Sequence, residues 1–342
     1  MKKNILITFD YELFLGHNSG SIKNCLIDPT NTYLESIKNY DIKTIFFVDC
    51  TYLLKLKELS ALNDKIDHDF QNITSQIKSL ISKGHYVYPH IHTHWVDAKY
   101  DKELNQWDLS NIEHYRFDSM SKKKREKIFR QSCDLLLEII QESNKNYKME
   151  GFRAGGWCIQ PFTNFAYLFK EYGIIADFSV LAGSKKNTNA LKFDFSSIKP
   201  NSSPYSFIDN ETLPIKFGEF AEFPISSIRI NNNNIINRIF NSILYRIKYG
   251  KNFGDGRGVP FINYEEDTSF DLKREMISIE LLNRYKLQRY KNFLLSKNYM
   301  QFISHPKMIS AHNIYIFKKL IRFYTKKYDV NFDWKKIQVE NI

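Results

Sequence analysis

Apolar positions along this chain switch repeatedly between a short unbroken run and a spacing of three or four. Ile5 to Phe9 form an apolar run with no helical period, which predicts a buried strand. Asp28-Pro29 then supplies an N-cap and a proline at the first helical position, with Leu34, Ile37 and Tyr40 as the apolar stripe. Ile42 to Val48, rich in β-branched and aromatic residues, predicts a second strand. A second amphipathic helix, Phe70 to Lys83, carries Ile73, Ile77, Leu80 and Ile81 and is stopped by Gly84. Tyr86 to Tyr88 extends again and delivers the chain to His90.

The rhythm continues with a long helix from Ser121 to Glu142, its buried face made by Ile128, Phe129, Leu135, Leu136, Ile139 and Ile140. Glu150 to Arg153 reads as a strand end, Pro161 to Tyr172 as a helix closed by Gly173, and Ile174 to Val180 as a strand. Order weakens between Leu181 and Leu213. A polar tract, Asn231 to Asn234, leads into a basic amphipathic stretch over Ile236–Lys251, a candidate for peripheral membrane contact. Beyond the break at Gly254 to Gly258, a helix over Leu281 to Ser296 precedes the strand Met300 to Ser304, and a last helix covers Ile314 to Tyr328. Short strands alternating with helices predict parallel β/α units, in a barrel or an open sheet. No internal repeat or second compositional regime is present, so one domain with insertions is expected.

Length and composition bound this picture. The 342 residues exceed a typical domain of about 100–150, but barrels of roughly 250 fold as one unit. Hydrophobic content of 43% and charged content of 25% fit a globular chain with a core large enough for a buried site. Cys25, Cys50, Cys133 and Cys158 are widely spaced and form no C-x-x-C pair, which argues against a cysteine-rich zinc module or a redox motif. No secretory leader precedes Asp10 and no run approaches a membrane span, so a cytoplasmic location, at most at the inner face of the membrane, is the expectation. The net charge of +11 biases the surface towards polyanions, with Lys122-Lys123-Lys124-Arg125 the densest cluster. No compact stripe of basic and aromatic residues accompanies it, so nucleic acid is not an expected partner.

Chemistry gathers at the ends of the expected strands. His90-Ile91-His92-Thr93-His94 places three of the nine histidines within five residues. A spacing of four puts His90 and His94 on one face of a helix, and a tight loop after a strand can also converge them. Alone, this pair is a weak signal. However, the first strand ends in Asp10-Tyr11-Glu12, another leads to Arg153, and the last ends at His305. Acids, imidazoles and a guanidinium at four strand ends form the inventory of a metal hydrolase in a β/α fold.

Six segments in chain order then carry a family resemblance. TFDYE (8–12), TIFFV (44–48), GHYVYPHIHTH (84–94), FRAGGW (152–157), DFSV (177–180) and SHP (304–306) resemble the motifs of the polysaccharide deacetylases, the NodB-like carbohydrate esterases of family four. The likeness runs from about residue 4 to 310. Two departures stand out. Tyr11 replaces the second of two adjacent aspartates in the first motif, and Ala154-Gly155-Gly156 replaces the prolines beside the arginine.

The resemblance implies an α/β fold, a distorted seven-stranded (β/α) barrel with insertions, spanning 1–312 with an insertion at about 185–265 and a helical extension over 313–342. It also implies a divalent metal, zinc by preference, held by Glu12, His90 and His94. Asp10 is the implied base, although the Asp10 and Glu12 roles can be exchanged. His305 is the implied acid, Arg153 the partner of Asp10, and Asp177 a support for His305. Tyr11, Trp95 and Trp157 are candidates for contact with substrate, whereas His92 reads as a supporting residue turned away from His90. The implied reaction is removal of an N-acetyl group from a carbohydrate, with a lipid- or nucleotide-linked precursor of surface polysaccharide (O-antigen or capsule) as the expected substrate. The alternatives are a non-catalytic carbohydrate-binding relative and a hydrolase of a non-sugar amide.

Overall fold

In the computed structural model, the described residues are 2–16, 18–111, 113–188, 190–229, 251–258 and 274–339. The first apolar run becomes strand β1, Lys3–Tyr11, buried at every position except Asn4. Burial on both faces explains why it reads as a continuous run rather than an alternation. Six more strands follow: β2 (Ile45–Asp49), β3 (Tyr86–Ile91), β4 (Gly151–Ala154), β5 (Ala176–Asp177), β6 (Phe220–Glu222) and β7 (Tyr299–Ser304). Their spatial order is β6-β5-β4-β3-β2-β1-β7, and every neighbouring pair is parallel. A short strand at Tyr205–Phe207 adds antiparallel to the far side of β6, and Val330–Asn331 pairs with the start of β1.

The sheet curls, and irregular chain bridges its two edges. Ile225 N–H donates to Val180 O, Ile277 N–H to Ser226 O, and Ile303 N–H, on β7, to Ile277 O. The result is the distorted α/β barrel expected from the alternation of strands and helices. Because the strands are parallel, their C-terminal ends open at one mouth, where ligands bind in such folds.

Helices cover the outside, and their ends follow local chemistry. The helix α1 (Asp28–Ile37) continues from a π-helical turn at Lys23–Ile27, so the chain is already helical where a cap at Asp28 was expected. The Asp49 side chain caps α2 (Cys50–Ser60), a helix that the apolar pattern does not reveal. Asn63 caps α3 (Asp64–Ser82), which begins a turn and a half before its apolar stripe, and Gly84 follows in the left-handed region at φ +79°. Ser121 caps α4 (Lys122–Gln141), so the lysine cluster forms its first turn. The helix expected over Pro161–Tyr172 is a single 3-10 turn followed by α5 (Ala166–Tyr172). Finally, α6 (Arg284–Ser296) and α7 (Ala311–Lys327) flank β7. Between β5 and β6 the weakly patterned segment holds a hairpin, Lys185–Asn187 with Lys192–Asp194. The amphipathic stretch expected over 236–251 lies, except for Lys251, outside the described residues. Among the described residues, no helix is long and apolar enough to cross a membrane.

Candidate active site

Strand alternation builds the site. At the end of β1, Asp10 and the next residue but one, Glu12, turn to one side, both buried, while Tyr11 turns to the other and donates its hydroxyl proton to Gln76 at 2.6 Å. The end of β3 presents His90, and the chain stays extended through His92 before a 3-10 turn takes Thr93–Asp97 away. The same period of two puts His90 and His92 on a common face. Their Nε2 atoms lie 3.4 Å and 2.7 Å from Glu12 Oε2. Among the described residues these three, Glu12, His90 and His92, form the one group of His, Cys, Asp and Glu side chains whose ligand atoms converge within 4.8 Å.

His94 lies beside this group rather than in it. Its ring stacks on Tyr115 with centroids 4.9 Å apart, and neither of its nitrogens has a hydrogen-bond partner. The four-residue spacing stressed in the sequence suits a helical turn, but the backbone here is a strand end, where i and i+2 converge. The expectation that extended backbone turns His92 away from His90 is thus corrected.

The electrostatics of the group favour a cation. His90 Nδ1 lies 2.8 Å from Arg153 O, and a carbonyl only accepts, so Nδ1 carries the proton and Nε2 presents a lone pair. Glu12 Oε2 is buried and faces the Nε2 atoms of both imidazoles. Burial opposes ionisation of Glu12, but Lys307 and His92 outweigh it and hold the carboxyl well below the ordinary range. Burial alone would lower the His90 pKa, yet Asp10 and Glu12 raise it. Lone pairs and negative charge crowded among buried side chains fit a divalent metal, with Glu12, His90 and His92 as the residues able to hold it.

Around this centre stand two charged side chains with fixed partners. Arg153, fully buried, donates from Nη1 to Asp10 Oδ1, from Nη2 to Thr8 Oγ1 at 2.9 Å and from Nε to Phe178 O at 3.0 Å. Its guanidinium lies 4.2 Å from the Phe47 ring centroid. Burial would push the Asp10 carboxyl up, but Arg153, with His90 and His305, holds it below its ordinary value. His305 follows β7 and points Nε2 towards Asp10 Oδ2 at 3.8 Å and Glu12 Oε1 at 3.6 Å. Its Nδ1 donates to Glu280 Oε1 and its backbone N–H to Glu280 Oε2, both at 2.9 Å. Burial lowers the His305 pKa, and Glu280 more than compensates, so the imidazole is raised.

The support expected of Asp177 therefore comes from Glu280. Asp177 instead accepts from Ser179 Oγ at 2.7 Å and pairs across the strand register with Glu222, another buried carboxyl. Burial raises both carboxyls, Glu222 well above its ordinary range. Trp95 is fully buried, with its indole N–H on Asp49, and Tyr11 is tied to Gln76, so neither faces an open site. Trp157 is half-buried at φ +60°, edge-on to Phe193.

Sequence reasoning passed over two further residues. Lys307 is buried and donates to Glu12 Oε1 at 2.8 Å and to Leu13 O, which leaves Oε2 to the imidazoles. A buried lysine looks like any surface lysine in the sequence. Glu280 lies 25 residues before His305, and nothing local marks it.

No family model matches the sequence, and no curated protein does. Solved structures of similar outline exist at low identity. A protein described as a polysaccharide deacetylase from Mycobacterium smegmatis is 12% identical, with a TM-score of 0.47 over 96% of this chain and 87% of that one. PuuE allantoinase is 10% identical, with a TM-score of 0.47 over 96% and 86%. The catalytic domain of a peptidoglycan N-acetylglucosamine deacetylase from Eubacterium rectale is 12% identical, with a TM-score of 0.38 over 100% and 93%. At these scores the likeness is one of outline, and no chemistry follows from it.

Proposed function

We propose that this chain is a metal-dependent hydrolase that removes N-acetyl groups from a carbohydrate. The observation that carries the reading is the convergence of Glu12, His90 and His92 beside a base and an acid that each have a fixed partner. Bound by those three residues, a divalent cation, zinc by preference for its mixed imidazole and carboxylate donors, supplies Lewis acidity and eases deprotonation of water. Asp10, held ionised by Arg153, accepts the proton of the attacking water. His305, oriented by Glu280, donates to the departing amine, which is too poor a leaving group to go as an anion. Arg153 stays charged throughout and keeps Asp10 from rotating.

The net charge of +11 suits a glycan carried on phosphate, such as a lipid- or nucleotide-linked precursor of surface polysaccharide. Such a substrate places the reaction in the cytoplasm or at the membrane's inner face.

Metal content and acetate release test this together. The purified protein is expected to hold one divalent ion, and His90→Ala or His92→Ala to lose it. Asp10→Asn is expected to keep the ion while acetate release from an N-acetylated glycan falls by about 10²–10⁴-fold. Loss of metal in His94→Ala with retention in His92→Ala would return the ligand role to His94. A parent protein with no stoichiometric ion, and indifferent to chelators, sinks the metal reading.

A further inference from the structure

Glu12 gives its two oxygens to different neighbours. Oε2 faces Nε2 of His90 and of His92, the imidazoles able to hold a metal with it. Oε1 has Lys307 Nζ at 2.8 Å and His305 Nε2 at 3.6 Å. An ammonium carries three protons, and this one directs two of them, to Glu12 Oε1 and to Leu13 O. The Leu13 carbonyl belongs to the main chain, so it tethers the ammonium independently of the Glu12 side chain.

The backbone of this lysine is fixed as well. Lys307 is buried in the 3-10 turn Pro306–Met308 that follows β7. A stretch of the segment 251–258 runs beside that turn: Gly254 N–H donates to Lys307 O at 3.0 Å and Phe253 N–H to Ile309 O at 2.8 Å. A Cβ on Gly254 would lie 2.5 Å from Lys307 O and 2.7 Å from the Phe14 ring, so the close approach requires glycine. The Phe14 ring centroid lies 5.3 Å from Lys307 Nζ. Asp255 anchors the same stretch, accepting from Ser21 N–H at 2.8 Å, Ser21 Oγ at 2.7 Å and Asn24 Nδ2 at 2.8 Å.

A lysine fixed on Oε1 limits what Glu12 can offer a cation. A free carboxylate binds through one oxygen or both, whereas here one is committed to the ammonium. Hard ions such as manganese depend on many oxygen donors, but zinc is satisfied by imidazole nitrogens and one carboxylate oxygen. Repulsion by the ammonium falls on every divalent ion alike, so the blocked oxygen is what discriminates between them. We propose that Lys307 is a specificity-determining residue of the centre, which holds Glu12 to one donor oxygen and thereby disfavours hard, oxygen-preferring ions. The inference rests on the metal-hydrolase reading and adds the residue that selects the class of ion.

The full chain, stripped of metal, is titrated with zinc and separately with manganese, and the ratio of the two Kd values is read. Lys307→Met keeps the length of the side chain but frees Oε1, so the manganese-to-zinc Kd ratio is expected to fall by at least about 10-fold. Lys307→Arg still donates to Oε1 and is expected to keep the parent ratio. Where the methionine variant does not fold, Lys307→Ala reads the same ratio. A lysine with a merely structural part would weaken both ions together. An unmoved ratio in the neutral variants, or an equal fall in Lys307→Arg, overturns the proposal. A parent that binds neither ion overturns the metal reading with it, whereas zinc binding and acetate release with an unmoved ratio defeat the role of Lys307 alone.

Discussion

Glu280 and Glu211 show how one residue type is set to opposite tasks by its neighbours. Glu280 accepts from both the backbone N–H and Nδ1 of His305, so it fixes the ring in one orientation. Glu280→Gln replaces one accepting oxygen by a donor and breaks one of these bonds. Under the deacetylase reading kcat should fall by about 10-fold or more, with metal content unchanged, because general acid catalysis is worth about 10²–10⁴. Loss of metal together with turnover would mean that Glu280 supports the centre rather than the acid. For Glu211 burial dominates and pushes its carboxyl up to about 7, with Asp177 adding to the rise. An acid whose folded pKa is raised holds its proton where the unfolded chain has lost it. Its contribution is therefore fully present below about 4.5 and is lost as the pH rises through about 7. Glu211→Gln removes this dependence. Thermal melts of parent and variant should diverge between pH 5 and pH 8, with the variant gaining up to about 3 kcal/mol at the upper end. Parallel melting profiles across that range would show that Glu211 carries no such strain.

Elements differ in how much of themselves the sequence displays. The buried parallel strands other than β6, three residues long and not expected from the pattern, were legible because burial on both faces demands unbroken apolar runs, and Ser121, Gly84 and Gly173 mark helix ends by their own backbone chemistry. The helix α2 was not, because its cap is Asp49, the last residue of β2, and no break separates the two. At the site, Asp10, Arg153, His90 and His305 could be found from strand ends alone. The choice between His92 and His94 turns on where β3 gives way to a 3-10 turn, a boundary that spacing does not fix. Lys307 and Glu280 arrive through folding of distant segments, so no motif announces them. The glycines beside Arg153 have a reason of their own. A Cβ on Gly155 would sit 2.4 Å from Ile91 O as well as pressing on His92. Gly155→Ala must therefore shift the end of β3, at a cost of about 1–3 kcal/mol typical of overpacking. Zinc affinity measured by chelator competition should weaken in parallel, and a variant that is destabilised with unchanged affinity would uncouple this turn from the centre.

For the molecule as a whole, the centre joins strands far apart in sequence. Glu12 directly follows β1, His90 ends β3 with His92 just beyond it, and Lys307 ties Glu12 to the segment after β7. Unfolding separates all of them, so an ion held there binds the folded chain and not the unfolded one. Mass action then stabilises the fold by about 2.7 kcal/mol at a free metal concentration 100 times Kd, which for a chain of this size is a rise in Tm of roughly 4 °C. The parent should show this rise on titration with zinc and lose it on addition of a chelator. His90→Ala should melt at one temperature at every zinc concentration. The direction in the metal-free protein is also informative, because Glu12 is held ionised by Lys307 and His92 at the expense of burying charge. Glu12→Gln removes that charge but leaves the Lys307 ammonium buried without its carboxylate, so it should lower the metal-free Tm and abolish the zinc response together. A zinc response that persists in both His90→Ala and Glu12→Gln would place the bound ion elsewhere in the molecule.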